Sequence, residues 1–240
     1  MTKTKSVLLL AAALILGSGA PAAAQTTKNI FLDVNFGVQA GSRSFDSGQI
    51  VQPAYDETVI TTSTQEYKSG PLFDISGGVR VWRDLSIGLG FSRTTGKGDG
   101  TVTSAVPSPL FHDRRVTVTN TVADLKHTET AVNILVGWTV PVTDKIDASF
   151  SFGPSFLNAK QELVNGVTVP AGTQGATPTV AEESEGVTGY NVGADISYLV
   201  NPRYGFGGFV RYVGGTVDLP SVPDLKLGGF QVGGGLRLRF

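Results

Sequence analysis

The sequence closes with Gly228-Gly229-Phe230-Gln231-Val232-Gly233-Gly234-Gly235-Leu236-Arg237-Leu238-Arg239-Phe240. In this stretch, large apolar side chains alternate with glycine, glutamine and arginine. A period of two residues places the two classes on opposite faces of a β-strand. The apolar set comprises Phe230, Val232, Leu236, Leu238 and Phe240. The stretch therefore predicts a long strand whose two faces meet different surroundings.

The same alternation returns in earlier parts of the chain, where we find almost no helical period. The repeats begin at Ile30, Phe73, Leu85, Glu129, Ile146, Tyr190 and Tyr204. Each repeat is roughly ten residues long, which is the length that a tilted strand needs to cross a bilayer. Together with the closing stretch they predict an all-β chain of eight antiparallel strands.

The connections between these strands alternate between short and long. The short ones are Arg83-Asp84, Pro141–Lys145 and Asn201–Arg203, which are rich in turn-forming residues. The long ones run roughly over residues 40–71, 93–126, 156–187 and 214–226. Short turns at one end and long loops at the other are typical of an up-and-down transmembrane barrel. We therefore expect periplasmic short turns and termini, and extracellular long loops.

Glycine and charge decide which face of the strands meets lipid. The chain has 31 glycines and only 16% charged residues. A soluble barrel would also alternate, but its polar face would be rich in lysine and glutamate. Here the polar face is mostly glycine, serine, asparagine and aspartate, and the lysines after residue 24 fall in turns, in loops or at strand ends. Small residues suit the crowded interior of an eight-stranded barrel, so we expect the apolar face to contact lipid.

Aromatic residues on the apolar face support this orientation. Trp138, Tyr198 and Tyr204 are predicted near the short-turn rim, and Phe91, Tyr190 and Tyr212 near the other rim. Two aromatic belts are expected where a barrel meets the two membrane interfaces. Trp82 departs from the pattern because it shares its phase with Arg80. We assign it to the turn that follows.

The first 24 residues have the pattern of a cleaved signal peptide. Lys3 and Lys5 precede the apolar run Val7–Leu16, and Ala22–Ala24 supplies small residues for cleavage. We expect residues 25–240 to form one barrel domain. Without the two lysines the balance is 17 basic against 20 acidic residues, a net charge of about −3, so no nucleic acid partner is expected. The chain has no cysteine and two histidines, and no cofactor or metal is expected.

These features carry a family resemblance. The signal peptide, the eight alternating segments and the closing strand resemble the small Gram-negative outer-membrane barrels of the outer membrane protein A, protein X and opacity type. The resemblance implies outer-membrane lipid and lipopolysaccharide as surroundings. It also implies that Phe230, Val232, Leu236, Leu238 and Phe240 form the signal read by the barrel assembly machinery. These barrels share a shape rather than a chemistry.

Charged residues on the inward face are expected to pair inside the barrel, because a buried charge must be compensated or hydrated. The set includes Asp33, Asp74, Glu129 and Asp195 together with Arg80, Arg211 and Arg237. From neighbouring strands we predict a cluster of Asp33 with Arg80 and Arg237, and a pair of Asp195 with Arg211. We favour a plugged lumen over a solute path.

Three functions remain open at this point. The favoured one is a non-catalytic structural or surface-interaction role through the long loops, where Thr58–Tyr67 and Val116–Val122 predict strands that project above the membrane. The second is a narrow channel for small or apolar solutes, with Pro154 as the visible strand irregularity. The third is lipid modification by His127-Thr128-Glu129 and a loop serine, for which no supporting motif surrounds the histidine.

Overall fold

The computed structural model describes residues 29–41, 43–218, 222 and 224–240. The signal peptide predicted over residues 1–24 lies outside these residues. No helix in this part of the chain is long and apolar enough to cross a membrane.

The described chain forms eleven β-strands, and three of them belong to the first long connection. In chain order they are β1 Ile30–Ala40, β2 Arg43–Asp46, β3 Ile50–Ala54, β4 Glu57–Tyr67, β5 Gly70–Trp82, β6 Leu85–Pro107, β7 Arg115–Pro141, β8 Ile146–Thr168, β9 Thr177–Leu199, β10 Tyr204–Val217 and β11 Leu225–Arg239.

Eight of these strands close into a ring. Neighbouring strands pair in the order β1, β5, β6, β7, β8, β9, β10 and β11, and β11 returns to pair with β1. Every pairing is antiparallel, and the closing register sets Asp33 opposite Arg237 and Phe36 opposite Gly234. Closure leaves no unpaired edge around the ring. The predicted eight-stranded antiparallel up-and-down barrel is confirmed.

The two faces of the barrel wall follow the predicted alternation. Phe36, Phe152 and Ile196 point outward and are exposed, whereas Asn35 and Asn133 on the other phase are buried. Trp82 is exposed because the β5–β6 pairing shifts register between Arg80 and Trp82. The shift places the indole side chain on the outer face of the barrel. The outer surface of the ring is therefore an apolar belt.

Strands β6 to β9 are 23 to 27 residues long, about twice what the apolar belt requires. Their upper parts stand above the ring at the end opposite the short turns, together with β2, β3 and β4. We call this part the head. Strand formation over Thr58–Tyr67 and Val116–Val122 is confirmed. However, Thr58–Tyr67 is a separate strand, since Lys68 and Ser69 break it from β5.

In the head the apolar side chains point inward and the polar ones point outward, which is the reverse of the arrangement in the ring. Val102, Val106 and Leu163 point inward and are fully buried, whereas Lys160 and Glu182 point outward. Two apolar clusters occupy the interior, together with buried polar side chains of β4 and β6 such as Thr61, Gln65 and Ser104. The lower contains Leu157, Leu163, Val213, Val217 and Leu227, and the upper contains Val59, Val102, Val106, Val164 and Val167. The head therefore has a polar exterior and a largely apolar interior, which also holds hydrogen-bonded polar side chains.

Candidate functional site: the barrel interior and the head

A buried ion pair crosses the lumen in the middle of the ring. The guanidinium of Arg211 on β10 donates to Asp74 on β5, with Nη1 2.7 Å from Oδ2, and both side chains are buried. The amide of Asn35 donates to the other oxygen of Asp74 at 2.9 Å. The predicted partner of Arg211 was Asp195, and the structure instead pairs it with Asp74.

Arg237 organises the neighbouring cluster towards the short-turn end. Its guanidinium bonds the carboxylate of Asp195 and the side-chain oxygen of Asn35, the latter at 2.6 Å, and its Nε lies 3.8 Å from Asp33. Arg80, which the sequence placed in this cluster, lies within 4.0 Å of no carboxylate among the described residues. Its side chain instead lines the cavity below.

A polar cavity opens at the short-turn end of the ring. Its volume is about 100 Å³, enough for a few water molecules. Asp33, Arg80 and Arg239 contribute charges to its wall, serine hydroxyls contribute much of the rest, and Leu135 and Phe209 lie at its apolar part. Arg239 is held by Asp147 at 2.7 Å. The Asp74–Arg211 pair lies at the inner end of this cavity, the vestibule, on the side towards the head.

A second polar network lies just inside the head, above the apolar belt. The buried carboxylate of Glu129 accepts hydrogen bonds from Arg43, Gln39 and the backbone N–H of Gly228, at 2.9, 2.7 and 3.0 Å. Arg43 also donates to the carbonyl of Lys226 at 2.6 Å. The network therefore ties β2 of the first connection to the barrel wall. Sequence reasoning missed Arg43 and Gln39, since neither belongs to a motif.

His127, which the sequence proposed for a hydrolytic group, joins this network through Glu129. Its Nε2 lies 2.9 Å from Glu129, and its ring packs against Tyr67 at 5.1 Å between centroids. Its Nδ1 is buried and has no hydrogen-bond partner among the described residues. No serine hydroxyl lies within hydrogen-bond distance of its ring among the described residues.

Tyr67 lies beside His127 and connects β4 to the barrel wall and to β2. Its hydroxyl donates to the carbonyl of Glu162 at 2.6 Å, and burial raises the pKa of the hydroxyl well above its ordinary value. Its ring stacks on Phe45 of β2 at 5.7 Å. Phe45 in turn packs on the lower apolar cluster. The opening of the barrel at the head end is thus covered by a folded part of the first connection.

The ladder between β7 and β8 is interrupted at Pro154. Pairing passes from Asn133–Ser155 directly to Val136–Phe152, since proline has no N–H to donate. The side-chain amide of Asn191 lies within hydrogen-bond distance of the carbonyls of Ile134, Gly153 and Pro154, at 3.2, 3.0 and 3.3 Å. Asn191 therefore fills the gap that the proline leaves in the wall.

Aromatic side chains form two belts on the outer face of the ring. At the short-turn rim, Trp138 and Tyr204 are exposed, and Tyr198 packs against Phe206 at 5.4 Å. At the head rim, Phe91 and Tyr190 are exposed. Tyr212 lies between Tyr190 and Phe230, at 5.9 and 5.2 Å. In the terminal strand, Phe230, Val232, Leu236 and Phe240 are exposed on the same face, and Leu238 is partly buried.

One group at the tip of the head has the donor types of a metal site. Ligand atoms of Glu57, His112 and Asp113 lie within 4.8 Å of one another. Arg115 lies 3.8 Å from the same Glu57 carboxylate and supplies a positive charge there. Arg115 compensates part of the charge of Glu57, whose carboxylate also lies 3.3 Å from Nδ1 of His112.

Comparisons with known proteins agree with this architecture. The family model described as outer membrane protein beta-barrel domain matches residues 10–238. No curated protein gives a significant match. Similar solved structures include Neisserial surface protein A (NspA), with 14% identity, 89% of this chain and 98% of that chain covered, and a TM-score of 0.44. OprG from Pseudomonas aeruginosa has 8% identity, coverages of 88% and 95%, and a TM-score of 0.48.

The attachment invasion locus protein Ail of Yersinia pestis has 12% identity, coverages of 88% and 99%, and a TM-score of 0.38. The family model covers nearly the whole chain, and the closed ring with its exposed apolar belt has the architecture that this family describes. The chain therefore belongs to the outer-membrane β-barrel family of Gram-negative bacteria.

Proposed function

We propose that the protein is a non-catalytic outer-membrane barrel whose head presents an interaction surface outside the cell while the lumen stays closed to solutes. The observation that carries this proposal is the filling of the head by buried side chains. Apolar residues such as Leu163 and Val213 pack there beside buried, hydrogen-bonded polar residues such as Gln65. A conducting barrel needs a continuous hydrated lumen.

The proposed orientation places the short turns and both termini in the periplasm and the head outside. Residues 25–240 are the proposed mature domain, with lipid and lipopolysaccharide around the belt. The terminal strand from Phe230 to Phe240 is the proposed signal for the barrel assembly machinery. The switch from apolar to polar outer side chains above Phe91 and Phe156 supports this orientation, because the polar part of the wall belongs in water.

Single cysteines test the orientation, since the natural chain has none. Leu110→Cys at the tip of the head is expected to react with a membrane-impermeant thiol reagent on intact cells. Asp144→Cys in a short turn is expected to react only after the outer membrane is permeabilised. Labelling of Asp144→Cys alone on intact cells would reverse the proposed orientation.

Planar-bilayer recordings test the closed lumen. We expect no sustained unitary currents from the purified protein. Currents that persist with the folded protein and vanish after unfolding would replace the interaction role by a channel. His127→Ala is expected to leave lipid turnover at the background rate, which tests the absence of catalysis separately.

A second candidate, transport of apolar solutes, is favoured by the interrupted ladder at Pro154. The seam there lies close to Leu135 at the inner end of the vestibule, so an opening of the wall would join the periplasm to the lipid. Val132 and Phe156 are register partners beside this seam. A disulfide between cysteines at these positions is expected to abolish uptake reversibly if the seam transports, and to change nothing if the barrel stays closed.

A further inference from the structure

The head has strand edges that pair on one side only, and most of them are protected against further pairing. Strand β2 has four residues, and β3 has five and contains Pro53. The upper part of β9 carries Pro178, Glu182 and Glu185. Short length, proline and charge are the devices by which proteins prevent edge-to-edge association.

The upper edge of β7 lacks these devices above the bulge that lies beside Asp124. Pairing of β7 with β8 ends at His127–Gln161. The backbone N–H of the next residue, Lys126, donates to the side-chain carboxylate of Glu162 at 2.9 Å. Above this point β7 pairs only with β6 within the described residues. Between Arg115 and Asp124 no residue is charged and none is proline. We call Val116–Ala123 the open strip.

The open strip is exposed and has a high preference for extended structure. Val116, Thr117, Thr119 and Thr121 are exposed, and valine and threonine are favoured in strands. Val118 and Val122 face the upper apolar cluster, which fixes which side of the strand points outward. At about 3.3 Å per residue, Thr119 stands about 40 Å along the strand above Val132 of the apolar belt, well clear of the headgroups.

The sequence of the strip is nearly its own mirror image. Val116-Thr117-Val118-Thr119-Asn120-Thr121-Val122 reads almost identically from either end. If two copies pair antiparallel about Thr119, Thr117 of each lies opposite Thr121 of the other and Val116 lies opposite Val122. Pairs of threonine and of β-branched residues are favourable cross-strand neighbours. In this register each outward-pointing side chain lies opposite an outward-pointing side chain of the other copy, so the outer faces of the two sheets form one continuous surface.

The ends of the strip match in charge. Arg114 precedes β7, and Asp124 lies at a bulge with a φ of 60°, so ladder pairing ends before these two residues. Arg114 of one copy and Asp124 of the other nevertheless fall at the same end of the paired strips. Asp124 is exposed and already bonds Lys97 at 2.8 Å, so Arg114 would add a second cation to that carboxylate. A two-fold axis produces this contact at both ends, as an isologous interface requires.

We propose that the open strip pairs antiparallel with the open strip of a second copy of this protein anchored in an opposing membrane. The two strands run in opposite directions, and each strand is continuous with its own barrel, so the two barrels point in opposite directions. The contact therefore joins two cells. This inference rests on the proposed interaction role of the head and specifies its partner.

Disulfide trapping in detergent micelles tests the register. Opposite residues in antiparallel strands have Cα atoms about 4.5–5.5 Å apart, within disulfide range. Thr119→Cys is expected to form a covalent dimer under mild oxidation. Thr117→Cys and Thr121→Cys are expected to cross-link when mixed and not when alone. Ser184→Cys on the acidic edge of β9 is the matched control and is expected to stay monomeric.

Charge exchange at the axis tests the contact between membranes. Wild-type proteoliposomes are expected to aggregate, and Thr119→Lys or Thr119→Glu alone should reduce aggregation at least tenfold, because like charges then face each other. Mixing the two variants should restore it. Absence of the Thr119→Cys dimer, equal cross-linking of Ser184→Cys, or no rescue on mixing would overturn the proposal. Cross-linking together with bilayer currents would instead remove the closed-lumen function and keep this interface.

Discussion

Arg211 and Asp74 face each other across the lumen with a separation of 2.7 Å, although their strands β10 and β5 are not neighbours in the ring. The guanidinium also lies over the ring of Phe209 at 5.2 Å. An arginine side chain is long enough to span an eight-stranded barrel, whose interior is only as wide as its side chains. Ion pairs in the lumen thus form across the barrel as well as along its wall.

Removing one member of this pair should destabilise the barrel. Asp74→Ala leaves the buried guanidinium without its counter-charge, and we expect a loss of about 3–5 kcal/mol in the free energy of unfolding. Urea unfolding in micelles, followed by the fluorescence of Trp82 and Trp138, measures it. Replacing both partners, Asp74→Leu with Arg211→Met, should cost much less. Equal losses in both variants would mean that packing rather than charge accounts for the effect.

Gly235 allows β11 and β1 to approach closely. A Cβ atom built there would overlap the carbonyl oxygen of Val34. Gly235→Ala should force the backbone apart and cost about 1–3 kcal/mol or more. The folded fraction is read from the mobility of unheated samples on denaturing gels. Gly48→Ala is the control, because its Cβ would meet no atom within 4 Å, and it should leave the folded fraction unchanged.

Asn191 should maintain the wall beside Pro154. Asn191→Leu leaves the carbonyls of Ile134 and Gly153 without their side-chain donor, and we expect a loss of about 1–3 kcal/mol. Hydrogen exchange should accelerate at amides of β7 and β8 beside the gap and stay unchanged elsewhere. The exposed Asn158, whose amide bonds Glu185, provides the control in Asn158→Leu. Uniform acceleration throughout the barrel would argue against a local role.

Arg43 should keep β2 packed over the head-end mouth of the barrel. Arg43→Ala removes both its bond to Glu129 and its bond to the Lys226 carbonyl. We expect faster hydrogen exchange and faster proteolysis within residues 43–54, with the ring unaffected. Arg93→Ala, which removes an exposed arginine on the wall, is expected to change neither rate. Unaltered exchange in Arg43→Ala would show that the apolar contacts of Phe45 suffice.

The sequence predicts the ring well because its signal is local. The alternation of Phe230, Val232 and Leu236 sets the outward face of β11 with no knowledge of any other strand. Ion pairs in the lumen depend on distances across the barrel, which the order of strands along the chain does not give. For this reason the sequence predicts Asp195, on the neighbouring strand, as the partner of Arg211. In the structure Arg211 bonds Asp74 instead.

The head was only partly predicted, for a related reason. Residues 93–107 are rich in glycine and threonine and resemble loops, although Val102 and Val106 alternate with polar residues and become core. The hydrogen bonds of Arg43 to Glu129 and to the Lys226 carbonyl correspond to no sequence motif. The role of Arg43 depends on Glu129, which is 86 residues away in sequence and adjacent only after the first connection folds over the barrel.

The continuity of β6, β7, β8 and β9 from the short turns to the tip of the head has a mechanical consequence. No hinge or linker separates the head from the ring in these strands. The hydrogen bonds of an antiparallel ladder lie across the strand direction. A pull on the tip along the strands is therefore carried by covalent backbone and loads many ladder bonds at once in shear, instead of peeling them apart one by one.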